Sequence, residues 1–222
     1  SFAGGFTGSM GMTFRESLDD AYEAVFEAAA FGANILIVAT GGRGRYTERH
    51  ERRLITYALR ELCYVAAALD MQIAILPMAA KLCETWTNVN PLSDAVNLIE
   101  DVNQPNMGLV FNTFHFGREH CPIKDFSLIS SHTTLIQIAD APVAVDSMLD
   151  QRLPGDGFIR IEELSHAFMK SGFEGNFEVA VWSDQVWQQP PLIVLRISYR
   201  RACEMILSQG GGGVVATVPV DR

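Results

Sequence analysis

The chain has 222 residues, 48% hydrophobic and 19% charged, which provides for one sizeable core and excludes an intrinsically disordered chain. Acidic residues outnumber basic ones 26 to 17, a net charge of −9 that speaks against a nucleic-acid binder. No apolar run reaches the roughly 18–20 residues that span a bilayer and no basic–apolar leader opens the chain, so a cytoplasmic protein without membrane contact is expected.

Helix and strand signals alternate along the chain. Leu18, Ala21, Tyr22, Val25, Ala28 and Ala29 recur at helical spacing and predict a helix over 14–31, stopped by Gly32. Ile35-Leu36-Ile37-Val38 reads as a strand, and 47–69 as a second helix with Leu54, Tyr57, Ala58, Leu62 and Val65 on one face. Ile73 to Leu76 is the next strand, ended by Pro77. Helices at 92–102, 122–131, 161–171 and 191–208 then alternate with strands at 108–111, 135–138 and 177–181. Gly210 to Gly213 and the residues after them lack an amphipathic period, so 209–222 is expected to be a flexible tail behind a domain of residues 1–208. Cys63, Cys83, Cys121 and Cys203 form no CxxC pair and are expected as reduced thiols.

Continuous apolar strands between helices require a parallel sheet covered by helices. An open doubly wound sheet and a (β/α)₈ barrel both satisfy this, and both place ligands at the carboxyl ends of the strands. Those ends hold Gly41-Gly42-Arg43-Gly44-Arg45 after the strand at 35–38 and the inert Leu76-Pro77-Met78 after the next. The glycine–arginine run reads either as a phosphate cradle or as a turn with solvated arginines, and it fits neither a Walker loop nor GxGxxG. Asn112, Thr113 and His115 follow the third strand, Gln137 and Asp140 the fourth. A turn-forming loop containing Arg152 and Pro154-Gly155-Asp156-Gly157 comes next, with Asp146, Asp150 and Asp156 expected as solvated charges. Alternation along the fifth strand puts Glu178, Ala180 and Trp182 on one face.

The stretches ANILIVATGG (33–42), NMGLVFNTFH (106–115), RLPGDGFI (152–159) and GFEGNFEVAVWSDQVW (172–187) resemble the xylose isomerase-like TIM barrel superfamily. That group includes sugar and sugar-phosphate isomerases and epimerases, inosose dehydratases and an endonuclease IV branch. The resemblance runs from SFAGGFTG (1–8) to about residue 208 and implies an incomplete (β/α)₈ barrel. The five strands from 35 to 181 look like barrel strands four to eight, and the opening residues like the end of strand three. Two βα units then have no counterpart in the chain, so either a longer gene product or a second copy covering the open edges is expected, the former being preferred.

The family carries a divalent Mn, Mg or Zn ion on a Glu, an Asp, a His and a second Glu. The resemblance places these at Leu76, Asn112, Gln137 and Ala180, while the neighbouring motif residues His115, Asp140 and Glu178 are retained. Leu and Ala have no donor atoms, and neutral Asn and Gln replace a carboxylate and an imidazole poorly, so no metal cofactor is expected. Three readings follow. The first is a barrel that binds a carbohydrate-type ligand through Asn112, His115, Gln137, Arg152 and Trp182 without the metal. The second is an isomerase, epimerase or lyase whose acid and base are now His115, Glu178 and Asp140. The third is a scaffold or regulatory subunit pairing with an active homologous enzyme; a homo-oligomer is a separate expectation.

Overall fold

The computed structural model describes residues 2–79, 85–118, 123–145, 147 and 149–207. The expected tail at 209–222, Cys83, Cys121 and Asp146 lie outside the described residues. In chain order the elements are β1 (Phe2–Gly4), α1 (Phe14–Ala30), β2 (Ile35–Ala39), α2 (Glu48–Ala67), β3 (Gln72–Ile75), α3 (Leu92–Val102) and β4 (Met107–Asn112). After them come α4 (Thr113–Phe116), α5 (Ile123–His132), β5 (Thr133–Ile138), α6 (Ile161–Lys170), β6 (Asn176–Val179), α7 (Asp184–Trp187) and α8 (Pro191–Leu207). Helices α4 and α7 are one turn each, too short to leave a periodic trace in the sequence.

Local chemistry sets the helix boundaries. Thr13 and Glu16 form a capping box at the start of α1, each side chain taking the other's backbone N–H. Thr47 caps α2 by accepting the His50 N–H, and Asn103 in a left-handed conformation (φ 49°) ends α3.

All six strands are parallel, and their spatial order is their chain order, β1 to β6. Strand parity then divides the core in two. Leu36 and Val38, Ile73 and Ile75, Leu109 and Phe111, and Ile136 and Ile138 point one way and pack against apolar residues of α1, α2, α3, α5, α6 and α8. Ala74, Leu76, Val110 and Leu135 point the other way and form a second, smaller cluster with Met78, joined by Ile35, Ile37 and Trp86. Among the described residues no helix contributes to that second cluster.

Of the two architectures left open by the sequence, this is the barrel. A doubly wound sheet would reverse its strand order and carry helices on both faces, whereas here the order never reverses and the helices lie on one face. The helix-covered face supplies most of the stabilisation, since each fully buried large side chain contributes about 1.5–3 kcal/mol. Among the described residues, β1 and β6 each have a single neighbour, so the sheet curves without closing. No described helix is long and apolar enough to cross a membrane.

Candidate functional site

The inner face carries an apolar floor and a polar row above it. The register sets Asn112 beside Gln137 and Gln137 beside Glu178, so three adjacent strands present polar side chains at one level. They form one hydrogen-bonded chain. Asn112 Nδ2 donates to Gln137 Oε1 at 3.0 Å, and Gln137 Nε2 donates to Glu178 Oε2 at 3.0 Å. The direction is dictated from both ends. At one end Asn112 Oδ1 accepts the Phe114 N–H at 2.9 Å, which turns its amide nitrogen toward Gln137. At the other a carboxylate only accepts, which turns the Gln137 nitrogen toward Glu178. Asn112 and Gln137 are each 4% exposed, whereas Glu178 is open to solvent.

This arrangement does not fit a divalent metal. Both polar atoms of Asn112 and of Gln137 are committed to hydrogen bonds. Leu76 is 3% exposed within the apolar floor, and Ala180 brings no donor atom. Among the described residues no three His, Cys, Asp or Glu side chains gather into a metal site.

The rim above Glu178 is aromatic. Trp182, just past β6, meets Trp86 from the segment between β3 and α3, with ring centroids 5.8 Å apart and planes at 87°. The two loops therefore touch across β4 and β5. Gln151 fastens the Trp182 backbone, donating its N–H to Trp182 O at 3.1 Å and accepting the Trp182 N–H on Oε1 at 2.8 Å. Gln151 is buried, and nothing in the sequence singled it out from the polar loop around it. Arg152 is turned to its own loop, with Nη1 donating to the carbonyls of Asp150 at 2.9 Å and Gln151 at 3.1 Å.

Asp140 organises the Pro154–Gly157 loop. Its Oδ1 accepts the N–H groups of Ala141 (2.8 Å) and Ile159 (2.9 Å), and its Oδ2 those of Gly155 (3.1 Å) and Gly157 (2.9 Å). Gly157 is required by this closeness, because a Cβ there would lie 2.3 Å from Asp140 Oδ1. Asp156 is an exposed charge, as expected, and its Oδ1 lies 2.7 Å from Arg201 Nη1, tying the loop to α8.

His115 sits on α4, 3% exposed, its ring edge-on to Phe114 and Phe116 at 5.3 and 6.3 Å. Its Nδ1 is buried without a partner, and burial pushes the imidazole pKa down to about 4, so the ring is neutral at pH 7. Among the described residues no hydrogen bond joins His115, Asp140 and Glu178 to one another. The polar chain thus brings together Asn112, Gln137 and Glu178, with Trp182 four residues past Glu178 on the rim, while His115, Asp140 and Arg152 are held in separate surroundings.

An all-parallel sheet with helices on one face and its polar groups gathered at the strand ends defines an α/β barrel, here open between β6 and β1. The chain belongs to the xylose isomerase-like TIM barrel family, whose model matches residues 2–203. It is similar to an inosose isomerase of Halalkalibacterium halodurans, 24% identical over 141 residues that make up 62% of this chain and 49% of that protein. The chain thus spans about half the length of that relative. A solved protein of Sinorhizobium meliloti superposes with a TM-score of 0.80 at 24% identity, over 91% of this chain and 76% of that one. The IolI protein with a bound zinc atom superposes at 0.76 with 15% identity, over 89% and 72% of the two chains.

Proposed function

We infer that this barrel binds a sugar or cyclic polyol at its carboxyl-terminal mouth without a metal ion. The observation that carries this is the Asn112–Gln137–Glu178 chain, which holds two of the positions where the resemblance expects metal ligands and ends on an accessible carboxylate. A carboxylate held by a neutral amide keeps its remaining lone pairs for ligand hydroxyls, and such charge-assisted bonds contribute about 1.5–3 kcal/mol each. The half-buried Trp86 and Trp182 rings offer an apolar surface for the C–H face of a ring-shaped polyol. Asn112 and Gln137 act as orienting residues behind that surface rather than as ligand contacts. The inosose isomerase relative directs attention to inositols and inososes as well as to hexoses and pentoses.

Titration calorimetry with that panel, in EDTA and in Mn²⁺, tests the reading. Saturable binding is expected in both, and Glu178→Gln is expected to weaken it by about tenfold, the loss of one charge-assisted bond. Binding that appears only with the metal, or a panel in which nothing binds, would overturn the reading.

A further inference from the structure

The glycine–arginine run at residues 41–45 is used neither by the polyol site nor by the core, and the structure shows it to be a built loop. Gly41 and Gly42 donate their N–H groups to Trp86 O at 2.9 Å and Thr85 O at 3.2 Å, which joins this loop to the segment carrying the mouth tryptophan. Thr7 Oγ1 donates to Gly42 O at 2.6 Å from the β1–α1 side. Gly44 is pinned more tightly still. Its N–H donates to Glu51 Oε1 at 2.9 Å, and a Cβ at this position would stand 2.2 Å from Thr7 O. Glu51, on α2, is 1% exposed and spends its other oxygen on Asn88 Nδ2 at 3.3 Å. A carboxylate so deeply buried is there to hold the loop.

The loop presents charge. Gly44 faces inward, and the flanking Arg43 and Arg45 both lie exposed with no carboxylate partner among the described residues. Arg49 follows in the first turn of α2, also exposed, while Arg52 is already paired with Asp94 at 3.0 Å and Asp101 at 2.8 Å. Unpaired arginines on a rigid loop, in a chain of net charge −9, form a local positive site that the overall composition conceals. The site is too short for a polyanion and matches one small anionic group.

We propose that the Arg43–Gly44–Arg45 loop binds the phosphate or carboxylate group of the ligand whose polyol part lies at Glu178 and Trp182. Gly41 bonds to the Trp86 backbone and the Trp86 ring meets Trp182, so the two subsites share one rim. The identity of the group's carrier rests on the polyol reading above; the anion site itself does not.

The test separates the two. Inorganic phosphate is titrated into the chain at constant ionic strength with chloride as the replaced anion, and the Nε–H signals of the arginines are followed by NMR. Saturable shifts confined to Arg43, Arg45 and Arg49 are expected, and Arg43→Gln with Arg45→Gln is expected to weaken phosphate at least about fivefold, the loss of two charge-assisted donors. Gly44→Ala keeps every charge and displaces the loop, so it too is expected to lose phosphate. In the second arm glucose 6-phosphate and gluconate are compared with glucose, and the arginine variant is expected to remove the preference for the charged ligands while leaving glucose unchanged. Phosphate that binds no better than chloride, shifts spread over all exposed arginines, or full affinity in the arginine variant or in Gly44→Ala would each overturn the site. Phosphate binding without any sugar binding would leave the anion site standing and remove the polyol reading instead.

Discussion

The His115 imidazole has a titration range that differs between the folded and unfolded chain. Burial lowers its pKa from 6.5 to about 4, so as pH falls the unfolded chain takes up this proton first. The folded state is therefore at full strength above about pH 6.5 and weakens between there and pH 4, by about 2 kcal/mol at pH 5. Urea unfolding at pH 7.5 and pH 5 measures this, and His115→Leu is expected to flatten the difference. A variant as acid-sensitive as the parent chain would show that the proton binds elsewhere. At this scale the sequence was legible in part. It placed His115 and Asp140 at strand ends and Glu178 within the fifth strand, yet one mouth-facing carboxylate and one loop-holding carboxylate look alike as letters. The distinction lies in who donates to Asp140, and its four donors are backbone N–H groups up to nineteen residues away.

The loop from Asp140 to Ile159 is the element on which the rim depends. Its first residue is joined to its interior by paired backbone bonds, Asp140 N to Arg152 O at 2.9 Å and Arg152 N to Asp140 O at 2.8 Å. Gln151 then carries the loop to Trp182. Asp140→Asn places an NH₂ where a carboxylate oxygen receives two N–H donors, leaving both without an acceptor. A loss of about 1–3 kcal/mol is expected from denaturant midpoints, with the amide turned toward the exposed Gly155 and Gly157, where water answers part of the loss. Gly157→Ala is expected to be destabilising as well, because its Cβ would strike both Asp140 Oδ1 and Ala141 O at 2.3 Å. Either variant retaining parental stability would mean that the loop is held by something other than this carboxylate. The Pro-Gly-Asp-Gly sequence announced a turn but not its anchor, because turn chemistry is local and Asp140 lies at the far end of the same loop, just past β5. The Trp86–Trp182 contact was invisible for the same reason: it joins residues from two loops that only the curvature of the sheet brings together.

For the molecule as a whole, the alternation of helices and continuous apolar strands was enough to read a parallel sheet, since helical and strand periods differ and both run long here. The choice of a barrel over a doubly wound sheet came from the family resemblance, and the structure supports it through the uninterrupted strand order and the single helical face. The same overall view gives the metal question a simple measurement. A ligand present at a hundred times its dissociation constant adds about 2.7 kcal/mol to folding stability. In a chain of this size that raises Tm by roughly 5–10 °C. With Leu76, Asn112, Gln137 and Ala180 at the mouth, millimolar Mn²⁺, Mg²⁺ or Zn²⁺ is expected to leave Tm within about 1 °C of its value in EDTA, because among the described residues the polar row offers a metal one carboxylate, Glu178, and two committed amides. A chain carrying Leu76→Glu, Asn112→Asp, Gln137→His and Ala180→Glu together is expected to gain the shift, since the inner-face positions are kept and only the donor atoms change. A shift of several degrees in the parent chain, reversed by chelation, would show that the mouth holds a metal despite its amides, and the hydrogen-bonded chain from Asn112 to Glu178 would then have to open to receive it.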